Sequence, residues 1–223
     1  MIVVISPHLD DAVLSLGATI ARMTRAGETV RVLTVFAGDP NVDDPASEWE
    51  HRCGFSFADQ ATEARRREDA SACASVGATP IWLPYPDLDH LRTRDAETIW
   101  SAIAPELEAA SAILVPGRPL LHPDHRYVAD LMRDRAPRRV RIGRYVEQPY
   151  TLWEMRARTS RAAMWVPRWP RGAAVTLSAR DLRMKIQALR SYRSQLRGYG
   201  VWFLPQLTLF EWSHAAEAVT WDA

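Results

Sequence analysis

The sequence predicts an α/β fold, a Rossmann-like three-layer arrangement with a mostly parallel central sheet. Three observations lead to it. Short β-branched runs alternate with amphipathic helical stretches. The first such pair is followed at once by another strand, which makes a βαβ unit. Polar clusters rich in histidine and aspartate recur at strand-to-helix turns, where α/β sheets bind ligands.

Met1 to Ile5 is uniformly apolar and mostly β-branched, the composition of a strand buried on both faces. From Asp11 to Ala26, Val13, Leu16, Ile20 and Met23 recur at helical spacing, and Gly27 supplies a stop. Val30 to Phe36 reads as the second buried strand, parallel to the first through a right-handed crossover. Residues 38–60 lack periodicity and carry Pro40, Asn41, Asp43, Asp44, Pro45 and Gly54. A loop this long is either functional or a solvated insertion, and it leaves the sheet on the same edge as the first polar turn.

Ala61 to Val76 predicts a helix whose inward face carries Ala61, Arg65, Glu68 and Ala72, an unusual place for two charges. Pro80 to Leu83 predicts the third strand, followed by the turn Tyr85-Pro86-Asp87-Leu88-Asp89-His90. A helix over Glu97 to Ala109, kinked by Pro105, leads into a buried strand at Ala112 to Val115. The turn His122-Pro123-Asp124-His125 precedes a helix bearing Tyr127, Val128 and Leu131, and Arg139 to Tyr145 reads as another strand. Beyond it, residues 150–172 mix Trp153, Trp165 and Trp169 with arginines, and Leu177 to Arg197 is helical. The apolar, aromatic stretch Trp202 to Trp212 is expected to pack on the sheet as an edge strand.

At 223 residues the chain is expected to form one domain over 1–223, with 150–223 as its lid and C-terminal packing region. The net charge of +1 provides no field for nucleic acid or a membrane surface, so the expected partner is a small-molecule substrate, and a homo-oligomer is compatible with the composition. Cys53 and Cys73 form neither a CxxC pair nor a disulfide framework, and no apolar run approaches the roughly 20 residues that span a bilayer. A reduced, cytoplasmic protein is expected.

Three of the six histidines lie in clusters with aspartate, His8 beside Asp10 and Asp11, and His122 and His125 around Asp124. Two imidazoles and a carboxylate are a three-ligand set for a catalytic metal with a position left for water. The same donors suit Fe²⁺; Zn²⁺ is preferred because hydrolysis needs no redox change. Adjacent aspartates repel unless a cation compensates, and their side chains diverge, so one can bind the ion while the other serves as general base. Helix capping by Ser6 or Asp10, and by the HPDH turn, is the alternative use of these residues.

These residues resemble the PIG-L/LmbE-like de-N-acetylases. His8-Leu9-Asp10-Asp11 matches the family's first signature and His122-Pro123-Asp124-His125 its second; Arg65 and Glu68 match an R-x-x-E helix motif, Asp87 an aspartate after the third strand, and Lys185, Tyr192, Ser194 and Gln195 a late K…Y-x-S-Q pattern. Ala12 stands where the family commonly has glutamate, and Leu9 where proline is common. The resemblance implies Zn²⁺ on His8, Asp11 and His125, Asp10 as general base, His122 stabilising the oxyanion or acting as acid, Asp124 behind His122, and Arg65 and Asp87 on sugar hydroxyls. It implies removal of an acetyl or other acyl group from an N-acylated amino sugar or sugar-containing natural product by attack of zinc-bound water. A hydratase of an unsaturated carboxylic acid on the same scaffold is the alternative, and a catalytically degenerate ligand-binding protein is a second.

Overall fold

A computed structural model of the chain describes residues 1–38, 44–86, 95–159, 174–214 and 217–222. In chain order the elements are β1 (Ile2–Ser6), α1 (Asp11–Arg25), β2 (Val30–Thr34), α2 (Glu48–Cys53), α3 (Ala58–Ser75), β3 (Thr79–Trp82), α4 (Ala96–Ile103), β4 (Ala112–Arg118), α5 (Pro123–Arg135), β5 (Arg141–Val146), α6 (Tyr150–Thr159), α7 (Ala179–Leu189), α8 (Arg193–Tyr199), α9 (Phe203–His214) and β6 (Val219–Trp221).

The six strands run in the order β3-β2-β1-β4-β5-β6, all parallel except β6, which pairs antiparallel with β5. The sheet has a core on each face, as a parallel sheet buried on both sides requires. Ile2 and Val4 of β1, Val30 and Val32 of β2 and Leu114 of β4 point to one face, where α1, α3, α7 and α9 pack. Val3, Ile5, Leu33, Ile113 and Val115 point to the other, under α4 and α5. Each such fully buried aliphatic side chain contributes about 1.5–3 kcal/mol.

Strand order reverses at β1. From it the chain steps outward to β2 and β3 on one side, then returns to β4 on the other. The turns after β1 and β4 therefore diverge around one crevice at the strands' C-terminal ends, the topological switch point. Both histidine–aspartate clusters sit in those two turns.

The C-terminal third departs from expectation. Trp202 to Trp212 is not an edge strand: Phe203–His214 is helical, burying Phe203, Leu207 and Phe210 at helical spacing. Its outer positions Trp202, Leu209 and Trp212 are also large and apolar, which hides the period in the sequence. The edge strand is the shorter Val219–Trp221. The helix expected over 177–197 is two helices, broken at Tyr192, whose hydroxyl donates to the buried Asp69 carboxylate at 2.7 Å. The 38–60 loop contains α2, started by a reciprocal capping box between Ser47 and Glu50. Pro105 ends α4 in a 3-10 turn, Ala104–Leu107. The 160–173 part of the expected lid, with Trp165 and Trp169, lies outside the described residues.

Candidate metal centre and active site

The turn after β1 is shaped by hydrogen bonds that leave Asp10 free. Ser6, not Asp10, caps α1: its hydroxyl accepts the Ala12 N–H at 3.0 Å while donating to the His8 carbonyl at 2.7 Å. Asp11 Oδ2 accepts the His8 N–H at 2.8 Å, which folds the turn back on itself. Asp10 makes no side-chain cap, and its Oδ2 is buried with no hydrogen-bond partner among the described residues. In the second turn, capping and site-building coincide. His122 is the N-cap of α5, its Nδ1 accepting the Asp124 N–H at 3.2 Å, and Pro123 follows at the first helical position.

Three donor atoms from the two turns form a nearly equilateral triangle. His8 Nδ1 lies 3.2 Å from Asp11 Oδ2, Asp11 Oδ2 lies 3.1 Å from His125 Nε2, and His125 Nε2 lies 3.2 Å from His8 Nδ1. A tetrahedral ion with bonds of about 2.0–2.1 Å spaces its ligand atoms by about 3.3 Å, so the triangle has the size of one face of such a site.

The hydrogen bonds behind the triangle set its tautomers. His8 Nε2 is 2.8 Å from Asp124 Oδ2, and His125 Nδ1 is 2.5 Å from Glu147 Oε1. With a cation bound, each carboxylate would take the proton of the far nitrogen, so the near nitrogens would turn lone pairs toward each other and toward a carboxylate oxygen. That arrangement is repulsive unless something positive sits between the three. The residues therefore fit a divalent cation, and three protein donors leave a coordination position open.

Charge within the site agrees. Burial pushes the Asp10 carboxyl up to about 7, and the neighbouring Asp11 adds to this, while Arg65 and His8 pull it back in part. Asp11 moves the opposite way: burial would raise it, but the imidazoles of His125 and His8 hold it well below the usual carboxylate range. For His125, burial favours the neutral ring, yet Asp11 and Glu147 outweigh it and raise the pKa to about 10. The site's surplus negative charge attracts a cation.

Asp124 differs from expectation. It stands behind His8, at 2.8 Å, whereas its distance to His122 Nδ1 is 3.8 Å. The helical turn that caps at His122 carries Asp124 past that ring and across the crevice to β1's histidine. His122 keeps a ring nitrogen within 4.8 Å of those of His8 and His125. Because its Nδ1 accepts a backbone N–H, the neutral ring carries its proton on Nε2.

These residues floor a cleft of about 310 Å³ into which Arg65 of α3 also projects. Asp87 lies outside the described residues. Glu68, the partner of Arg65 in the R-x-x-E motif, accepts from both the backbone and the hydroxyl of Ser194, at 2.8 and 2.7 Å. It thereby pins the start of α8 and places Gln195 on the cleft wall. Lys185 is remote from the cleft, buried between Glu211 at 2.6 Å and Glu217 at 2.8 Å.

Several contributors were not singled out in the sequence. Glu147, 1% exposed, holds His125 and also accepts the Leu120 N–H at 2.9 Å, joining the ends of β4 and β5. A glutamate directly after the strand predicted at Arg139 to Tyr145, on the same sheet edge, was its one signal. Ser47 and Trp49 come from the 38–60 loop, and Tyr150 and Tyr199 complete the wall with Trp153.

Residues 3–136 match the family model described as PIG-L, GlcNAc-PI de-N-acetylase, which spans both histidine–aspartate turns. The chain belongs to the PIG-L family. That family model takes its description from a de-N-acetylase. A 38-residue stretch is 50% identical to 2'-N-acetylparomamine deacetylase of Niallia circulans, covering 17% of this chain and 14% of that protein. Over whole folds, the chain resembles the A40926 pseudoaglycone deacetylase Dbv21 with a TM-score of 0.75 and 25% identity, covering 99% of this chain and 95% of that one. A triple mutant of the teicoplanin-pathway deacetylase, Orf2*T, gives a TM-score of 0.78 at 23% identity, covering 99% and 96%. PIG-L membership thus comes with an α/β framework shared almost end to end.

Proposed function

We propose that the chain is a metal-dependent N-deacetylase of an N-acylated amino sugar or sugar-containing natural product, with His8, Asp11 and His125 holding the metal, for which Zn²⁺ is the first choice. The observation that carries this reading is the donor triangle, with buried Asp10 beside it.

Within this reading, a bound divalent ion supplies Lewis acidity that polarises the amide carbonyl and acidifies water. Asp10, not engaged in capping, accepts the proton of the attacking water. Its burial favours the protonated carboxyl, which helps it take up that proton. His122 donates its Nε2–H to the oxygen that gains negative charge as the carbonyl carbon becomes tetrahedral. Asp10 then returns its proton to the departing nitrogen, so acetate and a free amine leave. Asp124 and Glu147 keep His8 and His125 in the tautomers that face the ion. Arg65 tempers the negative charge around Asp10 and, as a residue of the cleft lining, would meet a sugar hydroxyl.

Metal analysis of the purified protein, followed by an acetate-release screen over N-acetylated amino sugars, tests the proposal. Near-stoichiometric zinc with acetate release is the expected result. Loss of dienoate absorbance with no acetate release would instead make it a hydratase.

A further inference from the structure

The cleft has two chemically different halves. Its floor is ionic, built from the two histidine–aspartate turns. A wall that adjoins it, with Tyr150 edge-on to His125 at 5.3 Å, is aromatic. Trp49 of α2 packs on Tyr199 of α8 with ring centroids 4.8 Å apart, Tyr199 lies 5.9 Å from Trp153 of α6, and Trp153 meets Tyr150 edge-on at 5.5 Å. Trp153, at the rim, is 40% exposed.

The wall is built, not incidental. The Trp49 indole N–H donates to Gln195 Oε1 at 3.0 Å, and the Arg52 guanidinium lies over the same ring at 5.3 Å. Helix α2 reaches α8 at Gly198, where an added Cβ would stand 2.8 Å from Cys53 Sγ and 3.0 Å from Trp49 Cη2. A glycine there is what allows the indole to approach so closely. Arg52 closes the contact by donating to the Gly198 carbonyl at 3.2 Å.

This anchoring decides what the wall recognises. Trp49's single polar atom is already committed to Gln195, so its ring offers the cleft no donor for a sugar hydroxyl. What it adds to the cleft lining is an aromatic surface of fixed orientation. Resting on the deacetylase reading above, we infer that the substrate carries a planar aromatic aglycone on its amino sugar. The acyl amide sits on the ionic floor, and the aglycone lies against Trp49 and Trp153. Trp49 is then a specificity-determining residue.

Binding of phenyl and methyl 2-acetamido-2-deoxyglucosides to the full-length protein, measured by calorimetry, tests this directly, with acetate release followed in parallel. Wild type should bind the phenyl glycoside about tenfold more tightly, the scale of a stacked aromatic pair plus its buried area. In W49A that ratio should fall toward one, and W49F should restore most of it. W153A, at an exposed rim position, should also reduce the ratio and covers the case in which W49A does not fold. No phenyl preference in wild type, or a preference unchanged in both alanine variants, overturns the aromatic subsite. A phenyl preference lost in W49A while wild type releases no acetate would leave the subsite standing and remove the deacetylase reading instead.

Discussion

Asp124 Oδ2 lies 2.8 Å from His8 Nε2, joining two residues 116 positions apart in the chain. The carboxylate of the second motif holds the imidazole of the first, so the two turns form one hydrogen-bonded unit. If His8 is a metal ligand, replacing Asp124 frees its ring to rotate and to change tautomer. Asp124→Ala is expected to lower zinc affinity about 10–100-fold, the usual consequence of losing such a partner. Competition with a fluorescent chelator measures this; unchanged affinity would mean that the contact does not support the metal.

Asp10 should behave differently, because it caps nothing and lies outside the donor triangle. Asp10→Asn is expected to reduce deacetylation by about 10²–10⁴-fold, the range for a general base, with zinc stoichiometry intact. Since its Oδ2 is buried without a partner, the substitution should leave thermal stability unchanged or raise it. Full activity in the purified variant would remove Asp10 from the proton transfer.

His122 is assigned the developing oxyanion. His122→Ala should lower kcat about 10²–10³-fold with little change in zinc content, as for the loss of one oxyanion donor. A variant that loses its metal instead would make His122 a ligand.

The buried Lys185–Glu211–Glu217 cluster yields a stability prediction away from the cleft. Glu217 accepts the Ala18 and Thr19 N–H groups at 2.9 and 2.7 Å, so the cluster ties α1, α7 and α9 together. Lys185→Met leaves two carboxylates facing each other without a cation and should cost about 3–5 kcal/mol. Burial already raises Glu211 to about 7, above its unfolded value, with Glu217 adding to the effect and Lys185 opposing it. Without Lys185 its pKa rises further. Above pH 7 the folded variant then keeps a Glu211 proton that folded wild type loses, so its stability deficit should shrink as pH falls from 9 toward 7. Denaturant melts at the two pH values read this out; an equal deficit at both would refute the linkage.

Much of the layout was legible because it rests on local signals. The β-branched runs of β1, β2 and β4 and the apolar spacing of α1 encode a two-faced parallel sheet. Its topology alone brings two distant turns to one crevice. The His8–Asp11 and His122–His125 residue types were likewise enough to expect a divalent ion. The edge-strand reading of Trp202–Trp212 failed because α9 is apolar on both its buried and its outer side, which erases the amphipathic period. The break at Tyr192 carries no local signal, and the partner of that tyrosine, the Asp69 carboxylate, lies 123 residues upstream.

The sequence by itself determined the element types of the N-terminal half outside residues 38–60, the sheet edge that bears the chemistry and the donor atoms available there. Tertiary structure alone decided which partner each of those atoms has. The Asp124 carboxylate reaches His8 at 2.8 Å as well as lying 3.8 Å from His122, Glu147 completes His125, Glu68 holds α8 in place, and a loop without periodicity delivers Trp49 to the cleft wall. The physical reason is range. Strand and helix preference is settled over a few residues, whereas a hydrogen bond to an imidazole or the close approach of an indole to a glycine depends on where the packed sheet and helices carry groups distant in the chain, 22 residues apart for His125 and Glu147 and 116 for His8 and Asp124.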